Sequence, residues 1–537
     1  MIAVLECPRN GTRALPVAPC RSLSLPVAPC RSLPLPAAPG DVGDVGDISA
    51  AAVYAVPPIM QRILAVLFTV IWLPLPCAAL TLSVEAPDEL WPTWERIAAS
   101  HPLPSGVVVN RAQPGALRAD DRLIVRLGPG PGRKAAERIV LAPVGRLGET
   151  RGSVRLSDVR SGAIRTAPLE SITLPDIALA VDGLYPDDPG YPLQSEAAIG
   201  IESDNPGLRG WYDSLPKPEA GAARPEMIWI GAVGDIMPAR GVDKAMLADG
   251  GLQHVFGDML PILRSCSLLL GNLEAAATSA GTRATKTYTF RFDGAALGSL
   301  RSAGFSYLSV ANNHAFDFGQ RGFLDTLASL SQWDIGTSGA GASEREASLP
   351  LVVQTGSMEI RVISFGAYPV DRTGFDGRKA ARASGDRPGT LWCDAAGLST
   401  ASRAFSPGSF NIALVHGGQE WSSIPSAEQV RLYRELVLAG ADLVVGSHPH
   451  VLQGMEVLNG RLIAYSLGNF LFPGMEGTEG GEDSVLLKLG IVDGKVRCVR
   501  AIPLRLHGGA VRLAEGEAAL RTFEKLTLAL DRDTWRK

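Results

Sequence analysis

Short apolar runs of strand length recur along the second half of the chain, separated by loops and by stretches with helix-like spacing. Runs of this kind are typical of buried strands, and their alternation with helix-like segments indicates an α/β domain. Six of the seven runs are followed at once by polar residues. The runs comprise residues 227–233, 268–270, 306–310, 360–365, 412–415, 443–445 and 462–465.

The polar groups that follow these runs carry acidic, amide and imidazole side chains. In open α/β sheets the carboxyl ends of the strands form the edge where ligands bind, so groups that are distant in sequence can meet there. We therefore expect one composite site. The groups are GDIMPAR at 234–240, GNLE at 271–274, ANNHAFDFG at 311–319, HGGQE at 416–420, GSHPH at 446–450 and SLGN at 466–469.

The segment 80–218 has a different pattern, in which short β-like runs alternate with Pro/Gly-rich turns such as GPGPG at 128–132. This pattern predicts a smaller N-terminal α/β or β-rich domain without a catalytic cluster. Residues 178–193 resemble the connecting region of periplasmic solute-binding proteins, so a solute-binding role is an alternative to a plain scaffold. Further along, the pattern predicts a linker at 219–226, the larger domain at 227–510 with a hairpin at 484–504, and a C-terminal helix at 511–537.

The first 79 residues have the character of a leader. Residues 15–23 and 25–33 share the sequence LPVAPCRSL, and such a Pro-rich repeat predicts disorder over 1–59, or an upstream stretch translated only from an incorrect start codon. Residues 60–79 combine Arg62, an apolar stretch and a CAA ending, which predicts a secretory signal peptide. An uncleaved membrane anchor and a lipidated Cys77 are the alternatives. We expect an exported protein, periplasmic or on the outer face of the cytoplasmic membrane.

Charge and cysteine content narrow the function classes. Lys and Arg number 51 against 55 Asp and Glu, a net charge of −4, which lacks the basic excess of a nucleic-acid binder. No nucleic-acid partner is therefore expected. There are seven cysteines but no CxxC pair, and three of them lie beyond residue 79, so at least one has no intrachain partner.

Four of the seven histidines fall in the polar groups at the strand ends. Imidazole combined with carboxylate suits Mn, Zn or Fe, whereas Ca and Mg prefer oxygen ligands alone. His448 and His450 are two residues apart and project alike from an extended segment, so both can reach one metal cluster. Taken singly, Asp235 can be a turn or cap residue and His416 a core hydrogen-bonding group. Together, the groups favour a site with one or two divalent metal ions.

These motifs, in this order, resemble the CapA type of poly-gamma-glutamate capsule biosynthesis proteins, whose domain is related to the calcineurin-like metallophosphoesterases. The resemblance runs from about 227 to 473. It implies an α/β metallophosphoesterase-like sandwich of two mixed sheets flanked by helices, with a metal centre at the strand ends. It also implies that the metal ligands are Asp235, Glu274, Asn313, His416, His448 and His450, with Glu274 bridging.

One departure from the phosphoesterase pattern bears on how many metals bind. Those enzymes open with Asp-x-His, but this sequence has Met237 at the His position. A thioether is a poor ligand for the expected metals. Since the same substitution is usual in the CapA branch, it supports the resemblance and leaves open whether one or two metals bind.

The resemblance places His314 beside the substrate as general acid, and such a site supports metal-assisted hydrolysis. Asp317 is placed to orient His314, with helix capping as its alternative role. Arg240, Glu420 and Asn469 are candidate substrate-binding residues. Arg240 can equally be a solvated surface charge, and Glu420 a helix N-terminal residue.

Three functions fit this sequence. The first is an exported metal-dependent hydrolase of a phosphoester or amide, working in capsule, poly-gamma-glutamate or envelope polymer biosynthesis on an anionic polymer or on a small phosphorylated or peptidic substrate. The second is a non-catalytic, polyanion-binding accessory of membrane polymer-synthase and export subunits. The third makes 80–218 a solute-binding module that feeds the metal domain.

Overall fold

The computed structural model describes residues 80–112, 121–128, 130–148, 152–218 and 224–527. The predicted repeat at 1–59, the predicted signal peptide at 60–79 and most of the predicted linker at 219–226 lie outside the described residues. None of the helices in the described part of the chain is both long enough and apolar enough to cross a membrane.

The segment before residue 218 contains a seven-stranded mixed sheet. Its strands follow the order β2-β1-β3-β9-β4-β6, and β7 also pairs with β4. The helices of this segment are Trp91–Ser100, Leu156–Arg160 and Pro206–Ser214, and short 3-10 turns lie at Asp88–Leu90 and Leu169–Ser171. The strands are β1 (Leu80–Glu85), β2 (Val107–Ala112), β3 (Arg122–Leu127), β4 (Arg133–Arg146), β5 (Ser153–Val154), β6 (Thr166–Pro168), β7 (Asp176–Ala178), β8 (Ala180–Val181) and β9 (Gln194–Glu202).

The rest of the described chain has a strand at each of the seven predicted apolar runs and further strands between and after them. They are β10 (Ile228–Ile236), β11 (Leu268–Leu273), β12 (Ala276–Ala277), β13 (Arg291–Phe292), β14 (Tyr307–Ser309), β15 (Ala340–Gly341), β16 (Leu351–Thr355), β17 (Met358–Ala367), β18 (Gly389–Thr390), β19 (Phe410–Gly417), β20 (Leu443–Ser447), β21 (Leu452–Leu458), β22 (Arg461–Leu467), β23 (Asn469–Leu471), β24 (Asp483–Val492), β25 (Lys495–His507) and β26 (Ala510–Leu513). The helices are Val242–Leu247, Gly251–Phe256, Met259–Arg264, Ala296–Ala303, Gly319–Gln332, Glu344–Ala347, Gly377–Ala381, Ala395–Ala404, Ala427–Leu438 and Gly516–Thr527.

Two large mixed sheets pack face to face in this part. One has seven strands, in the order β14-β11-β10-β24-β25-β26 with β23 beside β10, and the other has six, in the order β16-β17-β19-β20-β22-β21. Alternate residues of each strand point to opposite faces. Ile230 of the first sheet and Val362 of the second therefore share the core between the sheets, while Val233 and Phe365 pack on the outer, helix-covered faces. The predicted sandwich of two mixed sheets flanked by helices is confirmed.

The register of the parallel strands brings the polar groups to one edge. In the first sheet Asp235 pairs with Asn272, and Asn272 with Ser309, at the ends of β10, β11 and β14. In the second sheet His416 at the end of β19 pairs with Ser447 at the end of β20. The carboxyl ends of both sheets therefore supply the side chains described below.

The C-terminal part agrees with the sequence in its hairpin and differs in where its helix begins. Strands β24 and β25 form the predicted hairpin, with a tight turn at Asp493 and Gly494, both at positive φ. The C-terminal helix predicted from 511 begins only at Gly516. It starts later because Val511 is buried and pairs with Leu506 of β25 as part of β26.

Candidate metal centre

Six side chains predicted as metal ligands lie together where the two sheets meet. Five of them are at most 6% exposed, and the sixth, Asn313, is half-buried. The five acidic and imidazole side chains form two overlapping groups that share Glu274, and within each group the ligand atoms lie within 4.8 Å of one another. The first group is Glu274, His416 and His448, and the second is Asp235, Glu274 and His450.

Three atoms of this cluster are buried without a hydrogen-bond partner among the described residues. They are both carboxylate oxygens of Glu274 and Nε2 of His448. A buried polar atom left unpaired costs about 1–3 kcal/mol, so such atoms call for an explanation. A divalent cation accepts electron pairs from carboxylate oxygen and imidazole nitrogen, and it would satisfy these atoms. The donor set therefore fits a metal such as Mn, Zn or Fe.

His416 is oriented by neighbours on both sides of its ring. Nδ1 lies 2.9 Å from the Ser447 hydroxyl and 3.0 Å from Nδ2 of Asn272. Nε2 lies 2.9 Å from Oδ1 of Asn313, 3.1 Å from Nδ1 of His448 and 3.6 Å from Glu274. The hydrogen bonds at Nδ1 thus leave Nε2 facing the other candidate ligands.

His450 and Asp235 form the other side of the centre. Nδ1 of His450 lies 2.9 Å from Oδ1 of Asn469 and 3.4 Å from Asp235, and Asp235 also accepts the backbone N–H of His448 at 3.1 Å. The backbone φ angle is positive at both His448 (99°) and His450 (59°), a conformation that strains residues other than glycine. The surrounding contacts therefore hold this segment in a strained geometry that points both rings at Glu274.

The close approach of β10 to the loop after β22 requires glycine at position 234. A Cβ atom on Gly234 would lie 1.9 Å from the carbonyl oxygen of Gly468. The neighbouring Asp235 N–H donates to that same oxygen at 3.0 Å. Gly234 thus lets Asp235 lie close to Asn469 and the His450 side of the centre.

The protonation states in the metal-free centre follow from burial and charge. Burial and the charge of Asp235 hold the pKa of Glu274 well above its usual range. Burial disfavours the charged form of His450, but the carboxylates of Glu274 and Asp235 outweigh it and raise its pKa to about 10. Burial lowers the pKa of His416, and burial together with His416 and His450 holds that of His448 well below its usual value. The neutral imidazoles are the form that binds metal.

The Asp235 carboxyl shows the opposite balance. Burial would raise its pKa, but hydrogen bonds and charge interactions with His416 and His450 lower it below its ordinary value. Asp235 is therefore a carboxylate in the folded protein, ready to act as a ligand without losing a proton.

His314 lies at the edge of the cluster with Asp317 behind it. Nε2 of His314 is 3.8 Å from Glu274, and Nδ1 is 2.7 Å from Oδ2 of Asp317. Asp317 also accepts the backbone N–H of Phe290 at 2.7 Å, and the following helix has Phe318 at its N-cap. Asp317 therefore orients the ring rather than capping that helix.

Lys286, which the sequence reasoning missed, completes this arrangement. Its side chain is 2% exposed, and Nζ lies 2.8 Å from Oδ1 of Asp317 and 2.9 Å from the carbonyl oxygen of Asn313. It lies in the loop sequence GTRATKTYTF at 281–290, whose composition carries no signal for a buried cation. Lys286 ties that loop to the segment that carries Asn313 and His314.

The three predicted substrate residues have different settings. Arg240 is exposed, its guanidinium lies 4.9 Å from the Phe290 ring centroid, and it donates to the carbonyl oxygen of Pro473. Glu420 is half-buried on the wall of the cavity and lies before the helix Ala427–Leu438, whose N-cap is Ser426. Asn469 is fully buried and bonds to His450, which makes it an orienting residue behind the centre.

Met237 does not extend the ligand set. It is fully buried and belongs to the hydrophobic cluster between the first sheet and its helices, together with Val242 and Phe470. The Asp235 side of the centre accordingly has three donor side chains.

Other residues that the sequence did not mark support or surround the centre. Asn312 donates to Asn272 at 3.0 Å, which in turn donates to Asp235 at 2.8 Å. Tyr368 lies 5.9 Å from the His416 ring, and Trp421 lies 5.4 Å from the His450 ring. Asn272 and Asn312 lie within the quoted sequence motifs, which could have identified them. Tyr368 and Trp421 lie outside those motifs, and no sequence pattern pointed to them.

The centre opens into a cavity of about 860 Å³. His314, His448, His450 and Asn313 reach its wall, together with Arg240 and Glu420. This volume is within the range of small-molecule sites, roughly 300–1,000 Å³. The geometry thus combines a candidate metal centre, an oriented imidazole and room for a substrate.

Comparison with known proteins places the similarity on this same part of the chain. A family profile described as "Bacterial capsule synthesis protein PGA_cap" matches residues 229–474. The "PGA biosynthesis protein CapA" of Bacillus subtilis is 30% identical over 300 residues, covering 55% of this chain and 76% of that protein. The "Capsule biosynthesis protein CapA" of Bacillus anthracis is 31% identical over 294 residues, covering 53% of this chain and 69% of that protein. A "Probable polyglutamine synthesis accessory protein" of Mycobacterium tuberculosis is 27% identical over 335 residues, covering 53% of this chain and 86% of that protein.

Proposed function

This chain belongs to the CapA family of bacterial capsule synthesis proteins, and from that membership we propose that it is an exported, metal-dependent hydrolase of a phosphoester or amide in envelope polymer biosynthesis. The observation that carries the proposal is the set of buried atoms on Glu274 and His448 that have no hydrogen-bond partner among the described residues. One ligand atom of Glu274 lies within 4.8 Å of ligand atoms of Asp235 and His450, and within the same distance of ligand atoms of His416 and His448.

The residues divide into those that hold metal and those that act on the substrate. Asp235 and His450 would hold a metal on one side, His416, His448 and Asn313 on the other, with Glu274 shared between them. A divalent ion held by these residues would lower the pKa of water and would stabilise negative charge on the reacting group.

His314 would donate a proton to the leaving group, since its Nε2 faces the centre and the cavity. Asp317 holds the opposite nitrogen, which fixes the orientation of the ring. Lys286 in turn neutralises the buried Asp317. Arg240 is placed at the cavity wall to contact an anionic part of the substrate.

Export is the part of the proposal that depends on the leader. The signal-like segment at 60–79 supports it, because its charged start, apolar stretch and small residues match what signal peptidase recognises. N-terminal sequencing of the protein recovered from the cell envelope tests it. A start near Leu80 is the expected result, and a chain that retains residues 60–79 in the cytosol would overturn it.

The second candidate is a non-catalytic accessory that binds the polymer for membrane synthesis subunits. The names of the relatives favour it, since one of them is described as an accessory of polyglutamine synthesis. Hydrolysis of 4-nitrophenyl phosphate by the Mn²⁺-loaded chain separates the two. Turnover that disappears in His314→Gln supports the hydrolase, and an inactive, metal-loaded protein that binds polyglutamate supports the accessory.

A further inference from the structure

The walls of the cavity are aromatic on both sides of the centre. Phe290 lies 4.5 Å from the His314 ring and stacks with Tyr288 at 6.4 Å. On the other side Phe472 and Trp421 lie 5.0 Å and 5.4 Å from the His450 ring. Phe290 and Phe472 are 5.9 Å apart, so the two sides join into one continuous aromatic surface.

Two of these rings are available to a ligand. Tyr288 is 61% exposed and Trp421 is 40% exposed, whereas Phe290 and Phe472 are buried. An exposed aromatic ring on a cavity wall offers a flat apolar face to another ring, and such ring contacts are favourable beyond the apolar area that they bury.

Trp421 is held in place at a conformational cost. Its φ is +65°, which bulky residues rarely adopt, and its backbone N–H donates to the carbonyl oxygen of Pro449 at 2.8 Å. Pro449 lies between His448 and His450. The strained turn therefore couples the position of the indole directly to the metal-binding segment.

Outside the candidate metal centre, the charges on the cavity wall are balanced. Three cations line the cavity, Arg240, Lys286 and Arg372, and three acidic residues do so as well, Asp371, Glu420 and Glu428. Lys286 is already paired with the buried Asp317. A chain of carboxylates would need an excess of positive charge along its path, and this wall does not provide it.

One place does favour a single anion. Arg240 lies over Phe290, whose ring is 4.5 Å from the His314 ring, so its charge adjoins the aromatic surface in the cavity into which the candidate metal centre opens. We propose that the substrate is a ring-bearing compound with one anionic group attached beside the ring, such as an aryl or sugar phosphoester. The anionic group lies between the metal centre and Arg240, and the ring stacks on Tyr288 and Trp421. This inference rests on the proposed function and names its substrate class.

The test uses phosphonates, which bind without being hydrolysed. Binding of phenylphosphonate and of methylphosphonate to the Mn²⁺-loaded full chain is measured by titration calorimetry. We expect the phenyl compound to bind about tenfold more tightly, because its ring can stack on an aromatic side chain and the methyl group cannot. Equal affinities would overturn the proposal.

Variants locate the effect. In Trp421→Ala and in Tyr288→Ala the ratio of the two affinities should fall towards one, and Trp421→Phe should restore most of it. Leu438→Ala is the matched control, since Leu438 is 70% exposed and is not among the residues lining the cavity. A ratio that survives both aromatic substitutions would overturn the proposal even if both variants fold.

Competition experiments identify the source of the ring and test the polyanion. Displacement of phenylphosphonate by glucose 1-phosphate more effectively than by glycerol 3-phosphate indicates a sugar ring, and the absence of that difference indicates an aryl ring. A γ-linked glutamate decamer that displaces phenylphosphonate better than either would overturn the proposal. If the ring preference holds but no ester is turned over, the proposed hydrolysis fails while the ligand class stands. If esters are turned over without a ring preference, the proposed ligand class fails while the hydrolysis stands.

Discussion

The buried ion pair between Lys286 and Asp317 gives a sharp test of how the candidate catalytic histidine is held. Lys286→Met removes the cation but keeps a side chain of similar length. Asp317 is fully buried, and it would keep the Phe290 N–H and the His314 ring as partners but lose its counter-charge. An unpaired buried carboxylate is strongly destabilising because no water replaces the lost cation.

The size of the effect follows from that burial. Removing one partner of a buried pair costs about 3–5 kcal/mol. For the unit Ala78–Lys537, roughly 460 residues, the entropy of unfolding is about 1 kcal/mol/K, so Tm should fall by about 3–5 °C. The double variant Lys286→Met with Asp317→Asn should be less destabilised than Lys286→Met alone, because it leaves no unpaired charge.

The assay is thermal or urea unfolding followed by circular dichroism. Lys379→Met is the matched control. Its ammonium group is 86% exposed and 3.4 Å from Asp376, so its loss should change stability by less than about 0.5 kcal/mol. A cost below about 1 kcal/mol for Lys286→Met, or costs that simply add in the double variant, would refute the reasoning.

Four further predictions concern the centre itself. Gly234→Ala should lower the free energy of unfolding by about 3 kcal/mol or more and weaken metal binding, because the added Cβ would lie 1.9 Å from the Gly468 carbonyl oxygen. Gly210→Ala is the control, since a Cβ there meets nothing within 4 Å, and urea unfolding should show it to be neutral or stabilising. Metal affinity measured by calorimetry should rise with pH up to about 10, because His450 must lose the proton that its raised pKa retains, and His450→Ala should flatten that dependence. The same pKa means that the metal-free protein has the stabilisation from charged His450 in full below about pH 6.5 and loses it as pH rises towards 10. Glu274→Gln should abolish the rise in Tm on adding Mn²⁺, because it removes the carboxylate that both ligand groups share, and an unchanged metal response would contradict that shared position.

The apolar runs were sufficient to predict an α/β domain and the convergence of its strand ends, whereas the sandwich of two sheets was predicted from the family resemblance. Apolar runs marked the strands, and the carboxyl ends of neighbouring parallel strands meet at one edge, so Asp235 and His416 were expected to lie close together. Whether those residues hold metal and catalyse a reaction remains a prediction. The convergence itself follows from periodicity and chain direction alone.

The supporting side chains were beyond sequence reasoning. Lys286 pairs with Asp317 across 31 residues, from a loop whose pattern of Gly and Thr gives no sign of burial. Trp421 reaches His450 through a turn with positive φ, which no sequence pattern predicted. The late start of the C-terminal helix has the same kind of cause, because tertiary pairing with β25 converts residues 510–513 into a strand.

Elemental analysis combined with an activity assay tests the claim that the buried cluster is a catalytic metal centre. The purified chain is compared with its His448→Ala plus His450→Ala variant by elemental analysis and by hydrolysis of 4-nitrophenyl phosphate. A catalytic centre requires one or two equivalents of Mn, Zn or Fe in the wild type, turnover that depends on that metal, and loss of both in the variant. A folded wild-type protein that binds no metal and shows no turnover would contradict the claim.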